Sequence, residues 1–173
     1  DVEVQVLVVS GEQIQLEQLP DTKADSIMGD GNSTWLPVSS LITNPEPTTS
    51  SNLGGGAWQN WGHSSQNQQA WVSYTWEEPR IIIGSDAYFG IDGNQNFFPK
   101  SYELEYLDES GAWLPIENHS GYEVVMDGYS NVTFNPVVAK GIRLTMTPSK
   151  DGSAIIKWKV YGWPDADVSQ VEI

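Results

Sequence analysis

The chain has 173 residues, enough for one domain with a real core and short for two. Its 23 acidic and 8 basic residues give a net charge of −15, which excludes binding to nucleic-acid phosphates and disfavours anionic membrane surfaces, so neutral or cationic partners fit better. Without cysteine there are no disulfides or thiolate metal sites, and 39% hydrophobic with 11% aromatic residues is too apolar for a disordered chain.

In chain order, the Val-rich run 2–9 predicts a buried strand, and the alternation of Ile14 and Leu16 with Gln13, Gln15 and Glu17 predicts a second over 13–19. Turn formers fill 21–40, notably Gly29-Asp30-Gly31-Asn32. Residues 41–62 read as a long Gly/Ser/Thr/Pro-rich loop whose Trp58 and Trp61 argue for order. The strongest strand is 71–77: Val72, Tyr74 and Trp76 fall on one face, Trp71, Ser73 and Thr75 on the other. Pro79 cannot donate to a ladder and is expected to stop it. Further strands are predicted over 81–89, 102–107, 112–116, 132–134, 141–147 and 155–161, with a loop at 90–99 and a hairpin turn at 108–111. Short strands without helical periodicity indicate an all-β, single-domain sandwich or jelly roll over 1–163. Residues 164–173 are expected to form an acidic tail or a linker. No apolar run approaches the roughly 20 residues that span a bilayer, so membrane insertion is not expected. Opening on Asp1 with no signal pattern, the sequence reads as an excised segment of a longer chain.

Two stretches carry candidate binding chemistry. Trp58, Asn60, Trp61 and His63 combine aromatic rings, which pack on the C–H faces of sugars, with groups that hydrogen-bond hydroxyls. The same two Trp could instead anchor a long loop. Tyr88 to Phe98 places Asp92, Asn94, Gln95 and Asn96 beside Tyr88 and Phe97, and is readable as a sugar-contacting loop or as an Asp-Gly turn with core aromatics. Asp86 and Asp92 could be nominated as a glycosidase carboxylate pair, but sequence spacing does not show a shared cleft. No His-based catalytic arrangement stands out either, so no enzyme activity is expected.

The order Trp58-Gln59-Asn60-Trp61, Trp71-Val72-Ser73-Tyr74, Asp92-Gly93, Pro99-Lys100-Ser101-Tyr102 and Gly111-Ala112-Trp113 resembles the discoidin-type family. Asn131-Val132-Thr133-Phe134, Gly141-Ile142-Arg143-Leu144 and Trp158-Lys159-Val160 extend the match, which is clearest over 41–162. This family is also known as factor V/VIII type C or galactose-binding-like, and includes carbohydrate-binding modules appended to bacterial glycoside hydrolases. The resemblance implies a galactose-binding-domain-like jelly roll. It implies non-catalytic binding of a neutral poly- or oligosaccharide of plant, algal or host origin, in a secreted or cell-surface protein with a catalytic domain elsewhere in the chain. The alternative is a protein-interaction or spacer domain packed on that catalytic domain. Members often carry a structural calcium, held by an Asp in a turn before the long loop and a Glu near the last strand. Here Thr43-Asn44-Pro45 and Lys157 stand at those places, so neither a calcium nor any other cofactor is expected, and Lys157 is a candidate to fill the ion's position.

Overall fold

The structure is a computed structural model describing residues 3–8, 11–29, 35–51, 56–61, 69–91, 95–165 and 167–172. Two long strands dominate it, β5 (Ala70–Phe89) and β8 (Ser130–Thr147). Each bends, so that one continuous antiparallel sheet folds over into two layers. The first half of β5 pairs with the second half of β8, flanked by β3 (Lys23–Ser26) on one side and by β6 (Ser101–Leu107) and β7 (Trp113–Pro115) on the other. The second half of β5 pairs with the first half of β8 and with β9 (Ala154–Trp163), which also carries β2 (Ile14–Gln15) and β4 (Trp58–Gln59). One helical turn, α1 (Ser40–Thr43), lies against β9.

The alternation of 71–76 is what closes the sandwich. Val72, Tyr74 and Trp76 are buried in the main core, while Trp71 and Thr75 are half-exposed on the outer face. Tyr74 stacks on Trp158 across the two layers at 4.4 Å, and its hydroxyl donates to the Trp158 carbonyl at 2.8 Å. Trp76 donates from Nε1 to the Leu16 carbonyl and to Thr22 Oγ1. Two large aromatic rings thus bury their area without orphaning their polar atoms.

Three sequence expectations are corrected. Pro79 does not end its strand: the register passes from Thr75↔Gly141 to Arg80↔Ala139, so Pro79 lies in a bulged stretch where no ladder N–H is required. The predicted strands 132–134 and 141–147 are one strand, because Pro136 falls in a second irregularity. The predicted strand 13–19 keeps only Ile14–Gln15 and then turns through a 3-10 segment, Leu16–Gln18, that buries both Leu16 and Glu17. Residues 167–172, within the expected tail or linker, form β10 (Asp167–Glu172), which pairs antiparallel with β1 (Glu3–Val8) as a separate two-stranded sheet.

Candidate functional site

Three chain segments are tied together at one end of the sandwich, at the turn 149–153. Trp58 and Gln59 pair with Ile155 and Ala154, which directs the Trp58 side chain fully into the main core. At Asn60 the ladder gives way to a side-chain tie. Its backbone N–H donates to the Ser153 carbonyl at 3.3 Å, and its Oδ1 accepts from the Ser153 N–H at 2.7 Å. Gly152 makes room for this: a Cβ there would lie 2.8 Å from Asn60 Oδ1, and its φ of +148° is one L residues rarely adopt. The next residue, Trp61, is 56% exposed. Its indole therefore stands in solvent, one residue beyond the Asn60 tie.

The segment Gln95–Phe97 joins the same cluster. The Asp151 N–H donates to the Asn96 carbonyl at 3.0 Å, and Ser149 Oγ donates to the Phe98 carbonyl. Phe97 is buried with Tyr88, Ala57, Ala154 and Ile156 in a second, smaller apolar cluster under this end of the fold. Tyr88 also meets Tyr129 edge-on at 5.1 Å. Burial, with a smaller contribution from Asp127, raises the Tyr88 hydroxyl pKa, and that buried oxygen has no hydrogen-bond partner among the described residues.

Of the sequence-proposed residues, Asn60, Trp61, Asn96 and Phe97 therefore come together around the Ser149–Ser153 turn. Trp58 and Tyr88 lie beneath them as packing residues with no open face. Asn96 is half-exposed. His63, Asp92 and Asn94 fall outside the described residues. Asp86 sits elsewhere, accepting from Asn131 Nδ2 at 2.8 Å and from the Tyr161 hydroxyl at 3.0 Å, which raises the Tyr161 pKa after burial has done most of the work.

A second lock at this end has no local sequence signal. Asp127, with φ of 57°, accepts from the Ser50 N–H at 2.8 Å and from Thr49 Oγ1 at 3.0 Å, while its own N–H donates to Ser50 Oγ at 2.9 Å. Ile91 N–H donates to the Ser50 carbonyl. These partners are 77 residues apart in sequence, so only the fold brings them together.

Beside this lies Lys157. The ladder slips between Tyr88↔Lys157 and Phe89↔Ile155, so Ile155 and Trp158 both face the main core and Lys157 is pushed outward under α1. Its ammonium donates to the Ile42 carbonyl at 3.1 Å and the Asn44 carbonyl at 2.5 Å, and the residue is 8% exposed. Asn44 Nδ2 donates in turn to the Ile156 carbonyl at 2.9 Å and the Gly56 carbonyl at 3.4 Å. Burial lowers the Lys157 pKa from the usual lysine value, partly offset by Glu46 and Glu17. The carbonyls face a cation, but it is the chain's own. A calcium would need several oxygens, mostly anionic, and would meet an ammonium here, so these residues do not fit the ion.

The family model for the F5/8 type C domain matches residues 22–160. The chain belongs to the F5/8 type C domain family. Members of this family are non-catalytic modules. This domain is 30% identical over 105 residues to an exo-beta-1,6-galactobiohydrolase of Bifidobacterium longum subsp. longum, covering 52% of the domain and 7% of that enzyme, so it spans only a small part of its relative. It superposes on the family 32 CBM from C. perfringens NanJ in complex with galactose with a TM-score of 0.62 at 18% identity, over 87% of this chain and 99% of the other. A structure of the Streptococcus pneumoniae beta-galactosidase BgaA gives 0.61 at 20% identity, over 87% and 98%. These likenesses place the F5/8 type C domain among galactose-binding-like β-sandwiches.

Proposed function

We propose that this domain is a carbohydrate-binding module that contacts a neutral poly- or oligosaccharide with the loops around Trp61. In this reading it keeps an attached glycoside hydrolase or surface protein of a bacterium on a plant, algal or host polymer outside the cell, raising local concentration rather than doing chemistry. The exposed Trp61 indole, next in the chain to the Asn60–Ser153 tie, carries the reading: an exposed aromatic face suits the C–H face of a sugar ring. Asn96 is half-exposed on the segment that the Asp151 N–H ties to the same turn, and His63, Asp92 and Asn94 are proposed contacts from the sequence alone. Galactose-containing polymers are the first to test, since one relative is named an exo-beta-1,6-galactobiohydrolase and one similar module is in complex with galactose.

Affinity electrophoresis in gels cast with galactan, arabinan or xylan is the test. Retention is expected for the wild-type domain on at least one polymer and is expected to fall by about tenfold or more for Trp61→Ala with an unchanged melting curve. Mobility unchanged in every polymer would sink the proposal.

The rival role, a spacer packed on a neighbouring domain, has one observation in its favour. On the outer face of the first layer Arg143 lies 4.7 Å from the Trp113 ring centroid and 5.7 Å from that of Trp71, and both indoles are half-exposed. Trp and Arg are enriched at the centres of protein interfaces. In that role no polymer would retain the domain, and Trp71→Ala or Trp113→Ala would weaken its packing on the neighbouring domain of the full-length protein.

A further inference from the structure

We propose that a groove on the flank of the sandwich, built from elements other than those that carry Trp61, is a second subsite for a neutral sugar unit. It rests on the reading of the domain as a carbohydrate binder. The groove has a physical origin in two departures from regular pairing. On β8, Thr133 pairs with Gly84 and Val137 with Ile82, so three residues of β8 oppose the single Ile83 and Asn135–Pro136 swell out of the ladder. On the other side β7 ends at Pro115, and the chain turns at Asn118, whose φ of 55° is tolerated by Asn better than by most residues. His119 then bridges to Phe134, and the two segments enclose an open groove in two adjoining parts of about 330 Å³ each.

The groove's lining has the composition a sugar needs. Tyr106, Leu114 and Val137 provide apolar surface, and Leu114 is 37% exposed. Asn118 and Asn135 line both parts with amides, which offer donors and acceptors together. His119 is held in place: its ring stacks on Tyr122 at 4.0 Å, and Nδ1 accepts the Gly121 N–H at 3.1 Å. That bond leaves the neutral imidazole's proton on Nε2, as a donor. Ser120 Oγ likewise accepts the Thr133 N–H at 2.9 Å and keeps its own proton to give. Glu117 is the only charged side chain of the described lining, which suits an uncharged ligand. Proline at 115 and 136 removes N–H donors on both sides, so an extended peptide adding to this edge would find a broken ladder. A second sugar contact on one rigid domain would let a single polymer chain, or two, engage it at two points and raise avidity without tighter single sites.

The experiment is an amide-resolved NMR titration of the whole chain with D-galactose, L-arabinose and D-xylose, repeated with soluble galactan, arabinan and xylan. Shifts are expected at residues 117–120 and 133–137 with at least one sugar. They should persist in Trp61→Ala and disappear in Asn135→Ala. His119→Phe, which keeps a ring on Tyr122 but removes the Nε2 donor, should also lose them. Retention on the polymer should fall by about tenfold or more when either site is removed, the signature of avidity. Shifts confined to the Trp61 loops would overturn the groove and leave the module intact. Groove shifts that grow with protein concentration in the absence of sugar would assign it to self-association and overturn it too. No shift anywhere with any sugar would remove the carbohydrate reading and the groove with it.

Discussion

Replacing Lys157 with Met tests whether an ammonium holds the segment that leads into the Trp61 loop. Met keeps the stem's volume and removes two charge-assisted hydrogen bonds, to the Ile42 and Asn44 carbonyls. Each buried acceptor left unpaired costs about 1–3 kcal/mol. Against this, burial already lowers the Lys157 pKa, so removing the charge returns part of its desolvation penalty. The two terms leave a net loss of about 1–3 kcal/mol, near one unpaired acceptor and short of two. For a domain of this size that is roughly 2–4 °C of Tm per kcal/mol. Lys159→Met is the control. Its 2.5 Å pair with Glu46, whose side chain is 60% exposed, is expected to contribute only about 0–1 kcal/mol. Differential scanning calorimetry of both variants, with EDTA and with excess Ca²⁺, should give a larger drop for Lys157→Met and no response of the wild type to either additive. A Lys157→Met Tm equal to or above that of the wild type would refute the assignment, as would a wild-type Tm that falls in EDTA and recovers with Ca²⁺.

Glu17, 2% exposed and accepting the Val160 N–H at 2.8 Å, has its pKa raised by burial, only partly offset by that bond. Its contribution to stability is therefore full below the unfolded carboxyl value and is lost as pH rises through the folded one, so Glu17→Gln should gain on the wild type as pH rises above the unfolded carboxyl value in urea melts; a constant difference would contradict this. Arg143→Lys loses the fork to Glu105 at 3.0 and 3.1 Å and both ring contacts, and should cost about 1 kcal/mol, read as a lower urea midpoint. Gly152→Ala should drive its methyl into Asn60 Oδ1 and weaken polymer retention by about tenfold while the domain stays folded; unaltered retention would mean that Trp61 does not depend on the Asn60 tie.

The sandwich was legible because its central strand alternates. Val72, Tyr74 and Trp76 had to share a face, and burying them dictates a second layer. Turn-like residues misled where the fold uses them inside strands: Pro79 and Pro136 sit at bulges, positions a local reading cannot tell from strand ends. The 3-10 turn that buries Glu17 depends on Val160, 143 residues away, and the Asp127–Ser50 lock spans 77, so neither leaves a local pattern. The two Trp of the 58–61 motif did leave one. Trp58 lies in the short strand β4 and is buried, while Trp61 lies past its end, where the chain turns, and is exposed.

An exposed tryptophan is by itself no sign of a site, since single apolar residues are common on protein surfaces. What distinguishes Trp61 is its support. Asn60 is fully buried at the point where β4 leaves the ladder, and it makes a side-chain bond that any continued strand pairing would have made with backbone alone. Gly152 and Phe97 close around that side chain, and the Asn96 carbonyl ties the neighbouring loop to the same turn. A surface loop with only a structural duty gains little from such ordering. A loop that must present one indole at a fixed height beside polar groups gains a pre-organised contact, because the entropy of fixing the loop is then spent on folding and not on each binding event.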